Sequence, residues 1–203
     1  MIRTCLILNG PPGSGKDTLA DILAGMGYHK HMMKETLYID TANFFNVDVE
    51  ELTVHATDRD LKEDPWHKLL LPSKSTYGVV SVRMLSPREA LIHVSEKIIK
   101  PNEGLDYFGR AAAKRCIERK SDLAVFSDGG FAAEIPPIQA IYDKTLILRL
   151  RREGFDYAGD SRSYLEGFEN TYDVHLVPGQ PDKAVEDIKD IIYGRPDEIF
   201  NAA

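Results

Sequence analysis

The stretch Asn9-Gly10-Pro11-Pro12-Gly13-Ser14-Gly15-Lys16-Asp17-Thr18 leaves few folds open to this chain. It follows an apolar run, Cys5-Leu6-Ile7-Leu8, and precedes apolar residues at helical spacing, Leu19, Ile22, Leu23 and Met26. Strand, glycine loop, lysine and helix, in that order, are the context a phosphate-binding loop needs. Gly10, Gly13 and Gly15 let backbone N–H groups turn inward and approach an anion. The helix begins where the anion sits, so its free N–H groups and dipole favour phosphate. Lys16 adds a point charge that can follow the β and γ phosphates. The cofactor-binding set is therefore Gly10, Gly13, Ser14, Gly15, Lys16, Asp17 and Thr18.

One position departs from the usual pattern. A hydroxyl that ligates magnesium normally follows the lysine directly. Here Asp17 stands in that place, and the hydroxyl comes one residue later at Thr18. Asp17 reads in two ways, as a magnesium ligand acting through water or as a helix cap.

Length and charge bound the partners. At 203 residues the chain reads as one domain with a substantial core. A net charge of −7 argues against strong nonspecific nucleic-acid binding but leaves room for a local basic cleft. Cys5 and Cys116 have no metal or redox spacing and read as reduced packing residues, which suits a cytoplasmic protein. The first apolar run is too short for a signal peptide, and no run approaches membrane-spanning length, so no membrane partner is expected.

Along the chain, strands are expected at Cys5–Leu8, Tyr28–Met33, Leu123–Phe126, Lys144–Leu150 and Val174–Val177. Helices are expected over Lys34–Asn46, from the Asp48 cap with Glu51 at the capping-box position, over Leu105–Arg119 and over Asp182–Tyr193. Ser86-Pro87-Arg88-Glu89 marks another helix start, with the helix stopping before Pro101. Leu69–Ser81 reads as an irregular excursion, and Pro136-Pro137 as an interruption of a helix over Ala132–Tyr142. Strands alternating with helices give an α/β fold, a parallel sheet flanked by helices on both faces. Ligands bind such sheets at the carboxyl ends of the strands. The glycine loop, Asp128, the Arg149–Arg162 segment and the Arg88 helix start are expected to converge there.

Phosphoryl transfer needs a cradle, magnesium, cations on the moving group and a positioned acceptor. Asp128, just past a core strand, reads as a magnesium-supporting carboxylate or as a turn-forming Asp before Gly129-Gly130. Arg151, Arg152 and Arg162 are candidate clamps for phosphate oxygens, on a segment that Gly154 and Gly159 would let close as a lid. The alternative is a solvated loop whose arginines pair with Glu153, Asp156 and Asp160. Arg88 suits an acceptor phosphate or pairs locally. Trp66 is a packing anchor or a lining residue for a base.

The loop Ser14-Gly15-Lys16-Asp17-Thr18 resembles that of bacteriophage-type deoxynucleoside monophosphate kinases. So, in the same order along the chain, do Asp58-Arg59 with Lys62-Glu63, Ser86-Pro87-Arg88-Glu89, Ser127-Asp128 with Phe131 and Glu134, and the Arg-rich segment ending Asp160-Ser161. The resemblance implies a three-layer P-loop NTPase fold of the nucleoside monophosphate kinase kind. It implies a substrate-side insert over about 34–104 and a lid over about 149–165. The implied reaction takes ATP with Mg2+ and a deoxynucleoside monophosphate to ADP and the diphosphate. Lys16, Asp128, Arg88, Arg151, Arg152 and Arg162 would be the catalytic residues, Asp17 and Asp128 the metal carboxylates, and a homodimer the assembly. The setting would be cytoplasmic, that of the host if phage-encoded.

The pattern Asp-x-Arg-Phe of such kinases is Asp128-Gly129-Gly130-Phe131 here, so a cation that would neutralise an acceptor phosphate is missing. The two glycines also read as opening space for something larger. A related group of phage kinases phosphorylates the hydroxymethyl group of 5-hydroxymethyluracil in DNA. On that reading Lys68, Lys74, Tyr77 and Arg83 would contact the strand, and Asp128 or Asp17 would act as general base. A non-catalytic nucleotide-binding switch is the reading from a different class. It would need the loop but not the lid arginines.

Overall fold

The computed structural model describes residues 2–74, 80–160 and 162–194. Lys74 and Tyr77, named above as DNA contacts, lie outside the side chains it describes. The chain forms two compact units, Met1–Met33 with Gly109–Ala203, and Lys34–Phe108.

The first unit opens with β1 (Thr4–Asn9), the glycine loop and α1 (Lys16–Gly25), then β2 (His29–His31). In the second unit come α2 (Glu35–Phe45), α3 (Val49–Thr57), β3 (Leu70–Lys74), β4 (Val80–Met84), α4 (Pro87–His93) and α5 (Lys100–Glu103). The helix α6 (Tyr107–Glu118) leads back to the first unit. There follow β5 (Leu123–Phe126), α7 (Ile135–Gln139), β6 (Lys144–Arg152), β7 (Thr171–Leu176) and α8 (Pro181–Tyr193).

Among the described residues of the first unit, five strands form one parallel sheet in the order β2-β5-β1-β6-β7. Period-two alternation in β1 shows why both faces are covered. Leu6 and Leu8 pack with Leu19 and Leu23 of α1 and with Val185 and Ile188 of α8. Cys5 and Ile7 pack the other way, with Ala112 and Cys116 of α6 and Ile135 and Ile138 of α7. The expected α/β sheet flanked by helices is present. Because every strand runs the same way, the segments after β1, β5, β6 and β7 leave from one edge.

The second unit has its own core of Leu52, Trp66, Leu69, Leu85 and Ala90. The Asp48 carboxylate caps α3 by accepting from Glu51 N, but the Glu51 side chain pairs with Lys68 instead of completing a capping box. Ser86 and Glu89 do form the reciprocal box at α4.

Four expectations are corrected. Leu69–Ser81 is not an irregular excursion, since β3 and β4 pair antiparallel with Leu70 opposite Met84 and Pro72 opposite Val82. In a two-stranded hairpin each strand is an edge, where Pro is tolerated. The helix from Pro87 does not stop before Pro101. It widens into a π turn over Val94–Ile99 and continues to Glu103, and this widening accommodates the missing proline N–H. Pro136 and Pro137 do not interrupt a helix; they occupy the first turn of α7, where no N–H is required. Finally, β6 runs on to Arg152, so Arg151 and Arg152 are strand residues and not loop residues.

The turn after β5 is packed without slack. A Cβ on Gly129 would lie 2.3 Å from Ile7 Cγ2. Overpacking there costs about 1–3 kcal/mol. Gly129→Ala should lower the melting temperature by several degrees, whereas Gly25→Ala, with nothing within 4 Å of the new Cβ, should not. Equal melting temperatures in thermal denaturation would contradict this packing.

Candidate functional site

The glycine loop is shaped by left-handed backbone at Gly13 (φ 76°) and Gly15 (φ 108°), which side chains would resist. Gly15 is also the N-cap of α1, and no side chain caps the helix. The first intrahelical bond runs from Leu19 N to Gly15 O, so the N–H groups of the first turn have no intrahelical acceptor. An uncapped helix start behind a glycine loop presents N–H donors of the kind that suit an anion.

Lys16 is buried inside this loop, its Nζ donating to the carbonyls of Gly10 at 2.6 Å and Pro11 at 2.7 Å. Burial first, and the positive charge of Arg162 second, lower its pKa to about 8 against the opposing pull of Asp17, Asp128 and Asp160. Asp160 and Asp128 also act on Arg162, whose pKa rises through hydrogen bonding to Asp160 despite burial. Lys16, Arg162, Asp128 and Asp160 are thus one electrostatic cluster at the carboxyl edge of the sheet.

Asp128, half-buried after β5, accepts from Met33 N at 2.8 Å through Oδ1. Asp17 lies on the first turn of α1, exposed, with Lys30 Nζ at 3.8 Å. Thr18 is exposed beside it. Two hydroxyls, Ser14 Oγ in the loop and Ser127 Oγ just before Asp128, are buried without a hydrogen-bond partner. A buried hydroxyl left unpaired costs about 1–3 kcal/mol, which an incoming acceptor or donor would recover.

The arginines divide. Arg152 Nη1 donates to Gly13 O at 3.2 Å, and its guanidinium lies 4.4 Å from the centre of the Phe155 ring, whose edge stands 3.0 Å from where a Cβ on Gly13 would lie. Arg151, on the opposite face of β6, donates to Asp173 at 2.9 Å and stacks on Tyr164 at 3.6 Å. Arg149 shares that carboxylate. The structure therefore gives Arg151 a partner set in the sheet and brings Arg152 to the loop. Arg162 is forked onto Asp160 and lies along Gly130. The space at Gly129-Gly130 is accordingly not open. Ile7 fills it at one glycine and Arg162 at the other, which corrects the expectation that the glycines make room.

Arg88 belongs to the second unit, where its Nη1 donates to Glu63 at 3.0 Å. Trp66 in that unit is buried, with the His55 ring stacked 4.2 Å away and Lys68 Nζ 5.5 Å from its centre, so it anchors packing.

Sequence reasoning missed Asn9. Fully buried, it donates to Gly129 O, Tyr157 Oη and Ser163 O, and accepts from Leu165 N. The signal was available: an amide closing an apolar strand, directly before the glycine loop. It also missed a groove of about 260 Å³ beside the loop, lined by Ser14, Thr18, Arg152, Leu176, Pro178 and Gln180 among others.

Phosphate bound at Lys16 would favour the charged ammonium and raise its pKa above the free value of about 8. Affinity is then full below pH 8 and declines as pH rises through and above it. One-proton linkage gives about tenfold weaker ATP binding at pH 9 than at pH 7. Titration calorimetry should show this slope in the wild type and a flat profile in Lys16→Arg, and a flat wild-type profile would contradict it. No protein-family model matches the chain, and no curated protein matches it.

Proposed function

We propose that this chain is an ATP-dependent phosphotransferase of the P-loop kinase kind, moving the γ-phosphoryl group to a deoxynucleoside monophosphate. The observation that carries the reading is Lys16, a buried ammonium bonded to carbonyls of its own glycine loop at the carboxyl edge of a parallel sheet. In the loaded site Lys16 would exchange those carbonyls for phosphate oxygens, with the uncapped N–H groups of α1 and Ser14 Oγ completing the cradle. The adjacent groove, between Arg152 and the Val177–Pro181 turn, fits the nucleoside. An oxygen of the acceptor phosphate would form the new bond to Pγ as the bridging bond to the β-phosphate breaks, leaving ADP.

The metal fit is partial. Among the described residues no three His, Cys, Asp or Glu side chains gather as a metal-holding group. Asp17 and Asp128 would hold magnesium together with phosphate oxygens and water, the arrangement this cation prefers. When bound, it supplies charge neutralisation across the β and γ oxygens.

A free nucleotide is favoured over DNA as acceptor. Trp66, the residue suited to stack a base, is buried under the His55 ring, and the net charge of −7 opposes a nucleic-acid strand. Among the described residues no helix is long and apolar enough to cross a membrane.

The test supplies γ-labelled ATP and magnesium, with each deoxynucleoside monophosphate and a 5-hydroxymethyluracil duplex offered separately. Label should pass to one or more free monophosphates and be lost in Lys16→Ala. Label passing only to the duplex would replace the acceptor. ATP binding with transfer to neither would make the chain a nucleotide-binding switch.

A further inference from the structure

The groove and Arg162 lie on opposite flanks of the glycine loop. The groove is lined from α1, the end of β6 and the turn after β7. Arg162 lies on Gly130, past the end of β5. With β1 between β5 and β6 in the sheet, a polyphosphate whose nucleoside occupies the groove crosses the loop toward β5. Its last phosphoryl group is then the one nearest Arg162.

Arg162 is built into place there. A Cβ on Gly130 would stand 2.5 Å from Arg162 Cδ and 2.9 Å from Cγ, so the stem of the side chain rests where any other residue would put its own. Asp160 Oδ1 accepts from Nε at 2.8 Å and Oδ2 from Nη2 at 2.7 Å, and Oδ1 accepts from Arg162 N as well. These bonds use Nε and Nη2, and Nη1 is the remaining edge of the guanidinium. On either side, Tyr157, Ser163 and Leu165 are tied to the buried Asn9 amide. Arg162 is therefore held by the protein's own bonds.

We infer that Gly130 and Asp160 are positioning residues that preset Arg162 for the terminal phosphoryl group of a nucleoside triphosphate. The chain then distinguishes triphosphate from diphosphate by a cation already in place. This inference rests on the nucleotide reading above. It adds that the cation for the donor's terminal phosphoryl group is held across a glycine that must stay small.

The experiment measures ATP and ADP affinity with magnesium by calorimetry for the wild type, Gly130→Ala, Asp160→Asn and Arg162→Ala, with melting curves for each. The wild type should bind ATP more tightly than ADP. Each variant should lose roughly tenfold in ATP affinity, the scale of one charge-assisted hydrogen bond, while ADP affinity stays within about twofold. Gly130→Ala added to Arg162→Ala should cost nothing further. Equal losses for ATP and ADP, unchanged ATP affinity in both Gly130→Ala and Asp160→Asn, or additive losses in the double variant would overturn the inference. A folded wild type that binds neither nucleotide would overturn the nucleotide reading itself.

Discussion

Parallel pairing of β1 with both β5 and β6 is the constraint on which the rest depends. A strand with parallel neighbours on both sides is buried on both faces, so its sequence must be apolar throughout, as Cys5-Leu6-Ile7-Leu8 is. Parallel pairing also sends the chain out of the sheet at the same edge every time. The glycine loop, Ser127–Gly130, the Arg152–Leu165 segment and the Val177–Pro181 turn are neighbours for that reason alone. Asn9, the last residue of β1, converts this proximity into fixed geometry by bonding both the β5 turn and the segment after β6.

Electrostatics then separates the site from a merely well-packed edge. A buried ammonium is tolerated only with partners, and Lys16 finds two carbonyls of its own loop. On the proposed function, phosphate oxygens would take the place of those carbonyls. The nearby charges are mixed in sign, with Arg162 opposing and Asp17, Asp128 and Asp160 supporting the charge on Lys16.

What the sequence made legible was local. β1, the glycine loop and α1 are contiguous, and their apolar spacing and glycine placement suffice to read them. The capped start at Ser86 is legible for the same reason, since both its bonds lie within three residues. The misread parts depend on distant partners. The β3–β4 hairpin is fixed by cross-strand pairs such as Leu70 with Met84, and Pro72 with its polar neighbours masks it. The end of β6 looked like loop because it is charged, but Asp173 on β7 pairs with Arg149 and Arg151 and lets the strand continue. In the candidate site the loop residues were readable one by one. The division of labour among the arginines was not, because the seat of Arg162 is a glycine more than thirty residues earlier.

A backbone amide NMR titration of the whole chain with MgATP reads directly whether the glycine loop and Lys16 hold the phosphates of a nucleotide, as proposed. The largest shifts should fall on Gly13 to Thr18, with further shifts at Gly130 and Arg162 and at the Val177–Pro181 turn. A titration in which these amides stay fixed, whether or not others move, would contradict it.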